Sequence, residues 1–373
     1  IKLLLSPFPS LCTACVVVIA RKVLNFGIIV IMKVGIYSPY FETLGGGGRY
    51  VLTIAQYFQN KGEEVTLFSP KKFDANILGI DLGKLKFNSW PDNFLGTAKY
   101  DLIFFLSDGS IPTLLSKKNI LHFQAPFNYI NQKTLLNKLK LTRINAIVCN
   151  SEFTKKFVDQ TYGINSQVLY PPVDIENFVA GKKENLIFSV GRFFVKPHNK
   201  KHEEMISLFK EMIDTGLKDW KLVLLGGIAP EHEKELPGLK KLTDGYPIEI
   251  IPNGNFADLK EYYAKAKIYW HATGFGENLT EFPEKAEHFG ISTVEAMSAG
   301  CVPVVFSGGG QTEIITDGTN GFLWTTENDW KEKTFSLINN DKLLDKMSQL
   351  AKEKSKDFSK KKFCEELEKI CAS

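Results

Sequence analysis

"KVGIYSPYFETLGGGGRYVLTIAQYFQNKGEEVTLFSP" runs from Lys33 to Pro70, and its reading decides the fold. "VGIYSP" is a short apolar run closed by a turn residue and a proline, the pattern of a buried strand. "RYVLTIAQYFQNKG" then repeats apolar side chains at helical spacing and stops at Gly62, a residue suited to the left-handed turn that ends helices. "EVTLFSP" returns to strand character. Strand, helix and strand in so short a span make a βαβ unit, which implies parallel strands joined by a helical crossover.

Outward from this unit the alternation continues. "YDLIFFLSDG", "NILHFQAP" and "AIVCNSE" read as further strands, each ending in polar or turn residues. At "VLYPPVDIENF", Pro171 and Pro172 stiffen an extended junction and stop any helix. Beyond it come a strand "NLIFSVGR", a helix "EEMISLFKEMIDTG", strands "WKLVLLGG" and "IEIIPN", a helix "ADLKEYYAKA", then "IYWHA" and "VPVVFSGGG". The pattern predicts two doubly wound α/β domains, residues 32–175 and 176–350, with a helix over 351–373 that packs back on the first. Residues 1–31 are expected to be an extension outside the native fold. Their apolar runs, "LCTACVVVIA" and "VLNFGIIVI", are each shorter than the roughly 20 residues that span a bilayer.

The 373 residues suit two domains, and 44% hydrophobic content supports two cores. A net charge of +4 is far from that of a dedicated nucleic-acid binder, so no nucleic-acid partner is expected. Cys12, Cys15, Cys149, Cys301, Cys364 and Cys371 are scattered, which points to reduced thiols and a cytoplasmic setting rather than a disulfide framework. "NQKTLLNKLKLTRINAIV" sets Lys133, Lys138, Lys140 and Arg143 beside Leu135, Leu136 and Leu139. An ordinary packed helix with a solvated face is the favoured reading, and peripheral contact with an anionic membrane is the alternative.

Ligands of open α/β sheets lie beyond the carboxyl ends of the strands, so the chemistry belongs in a cleft between the domains. Gly45, Gly46 and Gly47 open the first helix and could let backbone N–H groups approach a diphosphate, or form a plain turn. The cluster is not GxGxxG, and no acidic residue closes the next strand, which disfavours a dinucleotide site. Arg192 follows "SVG" at a strand end, and Lys196, Lys200 and Lys201 follow in a loop; cations there suit charge growing on a departing phosphate, or are simply solvated. Gly308 and Gly309 offer backbone donors of the same kind, with Glu313 at the start of the next helix. His122 ends a first-domain strand and is placed at the cleft wall, where it would contact a sugar or serve as a structural histidine.

"EHFGISTVEAMSAG", Glu287 to Gly300, sets two glutamates eight positions apart. Glu295 completes Ser-x-x-Glu with Ser292, a capping box that would satisfy the first N–H groups of the helix. Glu287 stands before the turn Phe289–Gly290, where a carboxylate can accept hydrogen bonds from hydroxyls while free N–H groups hold phosphate oxygens.

This stretch resembles the E-x7-E signature of retaining glycosyltransferases of family 4. The likeness extends from Met32 through the glycine turn, the His122 strand end, "CNSEFTKKF", "YPPVD", "SVGRFF" and "SGGGQTEIITDGTNGFLW", in the family's order. It implies the GT-B architecture, two facing Rossmann-like domains around an interdomain cleft. By the resemblance, Glu287 contacts the donor sugar and Glu295 the ribose, while the backbone of Phe289, Gly290 and Ile291 faces the donor. Arg192 and Lys200 neutralise the diphosphate, with Lys201 the rival for the second place. Gly45 to Gly47 lie near the phosphates and acceptor, and His122 near the reacting sugar. The variant "EHFGIS" with "WHATGFG" is similar to mannosyltransferases acting on lipid-linked or surface glycans.

The expected activity is metal-independent transfer of mannose or another hexose, with retention, from a GDP- or UDP-linked donor to a glycan or lipid-linked hydroxyl. No cofactor is implied, the nucleotide sugar being a substrate, and the expected location is cytoplasmic or peripheral at the inner face of the membrane. Alternatives are a sugar-nucleotide epimerase or hydrolase on the same scaffold, and a non-catalytic sugar-nucleotide binder.

Overall fold

The structure, a computed structural model, describes residues 31–39, 46–69, 85–90, 94–128, 133–194 and 198–372. Residues 1–30 with Cys12 and Cys15, as well as Gly45 and Lys196, lie outside the described residues.

The first sheet is built from β1 (Lys33–Tyr37), β2 (Glu64–Ser69), β3 (Lys86–Ser89), β4 (Leu102–Leu106), β5 (Lys118–Phe123), β6 (Ala146–Cys149) and β7 (Gln167–Val168). Its helices are α1 (Gly46–Asn60), α2 (Leu135–Leu141) and α3 (Glu152–Tyr162). The strands are ordered β3-β2-β1-β4-β5-β6-β7, and every pairing is parallel. Because successive side chains on a strand point to opposite faces, the apolar run of β4 feeds two cores. Leu102, Phe104 and Leu106 join Val34, Ile36 and Tyr50 on one face, and Ile103 and Phe105 join Phe68 and Phe123 on the other.

The second sheet follows the same plan with β8 (Glu184–Val190), β9 (Lys221–Gly226), β10 (Ile248–Pro252), β11 (Ala266–His271), β12 (Val302–Phe306) and β13 (Phe322–Trp324). Its helices are α4 (His202–Asp214), α5 (Leu236–Lys241), α6 (Phe256–Lys265), α7 (Ile291–Ser298), α8 (Gln311–Ile314), α9 (Glu327–Ile338) and α10 (Asp341–Ser355). The order is β10-β9-β8-β11-β12-β13, again parallel throughout. In β9, Leu222 and Leu224 face one core, Val223 and Leu225 the other.

The chain crosses between the sheets twice, and the crossings touch: Val173 N donates to Phe358 O at 2.9 Å, and Val173 bridges Ser359. After the second crossing α11 (Lys360–Ala372) lies on the first sheet, where Phe363, Leu367 and Ile370 enter the core of Val34 and Ile36. Lys118 Nζ caps it by donating to Cys371 O at 2.7 Å.

The favoured packed-helix reading of the leucine-lysine segment holds only at its end, where Leu141 and Ile144 pack on the first-domain core and Lys140 Nζ donates to Ile111 O at 2.9 Å. No residue of α2 is buried, and Leu135, Leu136 and Leu139 are 76%, 63% and 60% exposed. Leu141, at the end of α2, packs against the core of Phe123 and Tyr162, while Leu135, Leu136 and Leu139 stay largely exposed.

Candidate active site

The order of the second sheet reverses between β8 and β11, and a crevice for ligand opens at such a switch point. β8 ends at Val190 and delivers Gly191 and Arg192; β11 ends at His271. Two loops bring the remaining groups. A Cβ on Gly191 would stand 2.6 Å from Lys200 Cγ, so only glycine lets the lysine stem cross the strand end. Lys200 Nζ reaches Glu287 Oε2 at 2.7 Å, and His271 Nε2 reaches the same oxygen at 2.9 Å. Glu287 Oε1 accepts nothing from any described residue. Burial pushes the Glu287 pKa up, but Lys200 and His271 outweigh it and hold the carboxyl well below its usual range. The result is a carboxylate at the switch point with one oxygen anchored and one available.

The other cations divide. Arg192 is exposed and has no ion pair or hydrogen bond among the described residues, so its charge is available to an anion. Lys201 turns away: its Nζ meets Glu277 Oε1 at 3.0 Å, and Lys285 holds the second Glu277 oxygen at 2.8 Å. The structure therefore separates the two neighbouring lysines, with Lys200 on Glu287 and Lys201 in a salt-bridge network.

Glu287 is also fixed through its backbone. Gly310 N donates to Glu287 O at 2.8 Å, and a Cβ on Gly309, whose φ is +65°, would stand 2.0 Å from that oxygen. The Gly308–Gly310 turn is thus shaped to touch the glutamate loop, and its use as a donor set needs correction. Gly308 N already donates to Phe306 O at 2.9 Å, which leaves Gly309 N as the turn's N–H with no described acceptor. Phe289, Gly290 and Ile291 lead into α7, and their N–H groups donate to no described residue. Free N–H groups at a helix start favour an anion.

Glu295 does not form the expected capping box. The N-cap of α7 is Gly290 with no side-chain hydrogen bond, because Ser292 lies inside the helix and accepts from Tyr269 OH at 2.8 Å. Glu295 instead accepts from Tyr263 OH at 3.2 Å and from Arg49 Nη1 of the first domain at 3.2 Å. Burial raises its pKa to about 7, against the pull of Arg49 and Tyr263. Glu313 likewise reaches across: its carboxylate accepts from Glu152 N at 2.7 Å and Phe153 N at 2.8 Å, satisfying the first N–H groups of α3.

His122 is not at the cleft wall. It is 0% exposed, stacked on Tyr50 at 4.4 Å, with Nδ1 donating to Val148 O at 3.2 Å, and burial lowers its pKa to about 3. Tyr50 from α1 covers the strand end that sequence alone leaves open. Gly46 and Gly47 form the first residues of α1, and the side-chain oxygen of Gln124 lies 2.6 Å from where a Gly47 Cβ would be. Sequence reading missed His271, Arg49 and His288, whose Nδ1 donates to the first-domain Gln124 O at 3.0 Å. The signal for His271 was present, a histidine ending the apolar strand "IYWH"; that for Arg49 and His288 required the tertiary arrangement.

Residues 172–354 match the family model described as Glycosyl transferases group 1. A GDP-Man:Man(3)GlcNAc(2)-PP-Dol alpha-1,2-mannosyltransferase of Xenopus laevis is 28% identical over 199 residues, 48% of this chain and 38% of the relative. The chain thus spans well under half the length of that relative. An uncharacterized glycosyltransferase of Methanocaldococcus jannaschii is 24% identical over 360 residues, covering 88% of this chain and 95% of its own. The crystal structure of Anabaena HepE in complex with UDP superposes with a TM-score of 0.73 at 16% identity, over 92% of this chain and 100% of the other. The segment from residue 172 to 354, which holds Glu287, Lys200, Arg192 and His271, is thus similar to group 1 glycosyl transferases, and the chain as a whole has the GT-B fold.

Proposed function

We propose that the chain is a retaining, metal-independent hexosyltransferase of family 4. It moves mannose from a nucleotide diphosphate to a hydroxyl of a glycan or lipid-linked acceptor. The single observation that carries this reading is the Glu287 carboxylate, bonded to Lys200 and His271 through one oxygen at the switch point, beside the free guanidinium of Arg192. In the transfer the bond between the sugar C1 and the diphosphate oxygen breaks, and a bond from C1 to the acceptor oxygen forms on the same face. The acceptor proton passes to the departing diphosphate. Arg192, Lys200 and the N–H groups before α7 stabilise the charge growing there, while Glu287 Oε1 holds the sugar and favours its cationic transition state. Glu295 takes the ribose. GDP-mannose is the donor to test first, because the amphibian relative of this segment is named for it, and UDP-glucose is the contrast.

The acceptor side of the reading rests on α2. Three exposed leucines beside Lys138 and Arg143 suit the surface of an anionic bilayer, where apolar groups sink between headgroups and cations meet phosphates. Among the described residues no helix is long and apolar enough to cross a membrane. Flotation with anionic vesicles is expected to retain the wild type and to release a variant with serine at all three leucines.

The activity is tested by incubating purified protein with GDP-mannose or UDP-glucose, with and without a glycan acceptor, and following product by mass and anomeric configuration by NMR. Acceptor-dependent product of retained configuration supports the reading. Free sugar or an epimer formed equally well without acceptor points to the hydrolase or epimerase, and tight donor binding with no product to a sensor.

A further inference from the structure

We infer that His271 is the positioning residue of Glu287, holding Oε2 in place so that Oε1 stays aimed at the sugar when Lys200 turns toward the leaving diphosphate. The inference rests on the transferase reading above. Lys200 is a flexible four-carbon arm with a rotatable ammonium, and it has two competing anionic partners once a diphosphate enters. A carboxylate anchored by that lysine alone would lose its orientation at the moment when charge develops on the sugar. His271 cannot drift in the same way. It ends β11, is 1% exposed, and donates from Nε2 to Glu287 Oε2 at 2.9 Å, with Thr273 Oγ1 the next polar atom at 3.4 Å. Its second nitrogen, Nδ1, is buried without a partner among the described residues. A buried nitrogen left unpaired is a cost to the fold, so the ring is not there to satisfy both of its polar atoms. Its shorter side-chain bond among the described residues is to the glutamate, Thr273 lying farther off, and burial keeps it neutral with the proton on Nε2.

The test compares His271→Leu, which fills the space without a donor, with His271→Gln, whose amide N–H can reach the same oxygen. Supporting outcome: His271→Leu lowers kcat for transfer about 10- to 100-fold, the usual cost of losing a group that orients a site residue. Donor KM and nucleoside diphosphate affinity stay within about twofold, the share of donor lost to water rises, and His271→Gln recovers most of kcat. The inference is overturned if His271→Leu keeps kcat within twofold, or if both variants, folded by their melting curves, lose kcat equally. Should the Leu variant not fold, the Gln variant decides alone: kcat near wild type with unchanged donor KM supports the inference, and a tenfold loss overturns it. A Glu287→Gln variant separates the two levels. If it transfers as fast as wild type, the transferase reading fails; if it is inert while His271→Leu is unaffected, only the role of His271 fails.

Discussion

His122 and His271 lie one in each half of the molecule, each at the carboxyl end of an apolar parallel strand and each almost without exposed surface, β11 beside the first strand of its sheet and β5 one strand further out. In the first half, Tyr50 of α1 lies flat on His122, and the His122 Nδ1 serves the neighbouring Val148 carbonyl. In the second half no aromatic ring of the described residues stacks on His271, which meets the carboxylate of Glu287. The strand sets where a histidine stands; the side chain packed above it decides whether the imidazole belongs to the core or to a site.

The sharpest way to break this contrast is to exchange its two ends. Glu287→Ala should reduce transfer by about 100- to 1000-fold, as loss of a positioned electrostatic contact does. His122→Phe should keep kcat and cost under about 1.5 kcal/mol of stability, the usual penalty of a volume-conserving core change. A His122→Phe protein that melts normally but has lost transfer would place His122 in the chemistry after all. Next in size is the lysine pair: Lys200→Ala should lower kcat about 100-fold, and Lys201→Ala under tenfold, since its ammonium is held by Glu277. Equal losses would show that the diphosphate draws Lys201 from that network.

Acid sharpens the comparison between the halves. Burial lowers His202 and His288 to about 3 and also lowers His198 and His271, all in the second half, against His122 alone in the first. A histidine depressed in the fold adds stability that is present above its ordinary value of 6.5 and lost as pH falls toward 3. Near pH 5 each fully buried one costs up to about 2 kcal/mol, so hydrogen exchange should open the second sheet before the first. Glu295 has the opposite sign. Its pKa is raised from 4.5 to about 7, so its contribution is fully present below 4.5 and fades as pH rises through 7. Relative to wild type, Glu295→Gln should gain about 2 to 3 kcal/mol between pH 5 and 8, read from paired melting curves.

The parallel two-sheet plan was legible because buried strands and crossover helices leave different apolar periods, and "VGIYSP", "WKLVLLGG" and "IEIIPN" each coincide with a strand. β3 and β7 were not legible: four and two residues long, with little burial, they have too few apolar positions to show a period. Sequence placed Arg192 at a strand end and Glu287 before the turn that opens a helix, since chain order alone puts them there. Which lysine faces the glutamate, the diversion of Glu295 to Arg49 and the covering of His122 by Tyr50 all depend on contacts between residues far apart in the chain. α2 misled in another way, because amphipathic spacing shows that a helix has an apolar face but not what lies against it.

The placement of α11 has a consequence for the order of assembly. Its Phe363, Leu367 and Ile370 complete the core around Val34 and Ile36, so a nascent chain carries the first sheet with an open apolar flank until residues 360–372 leave the ribosome. The half that is translated first is the half that must wait.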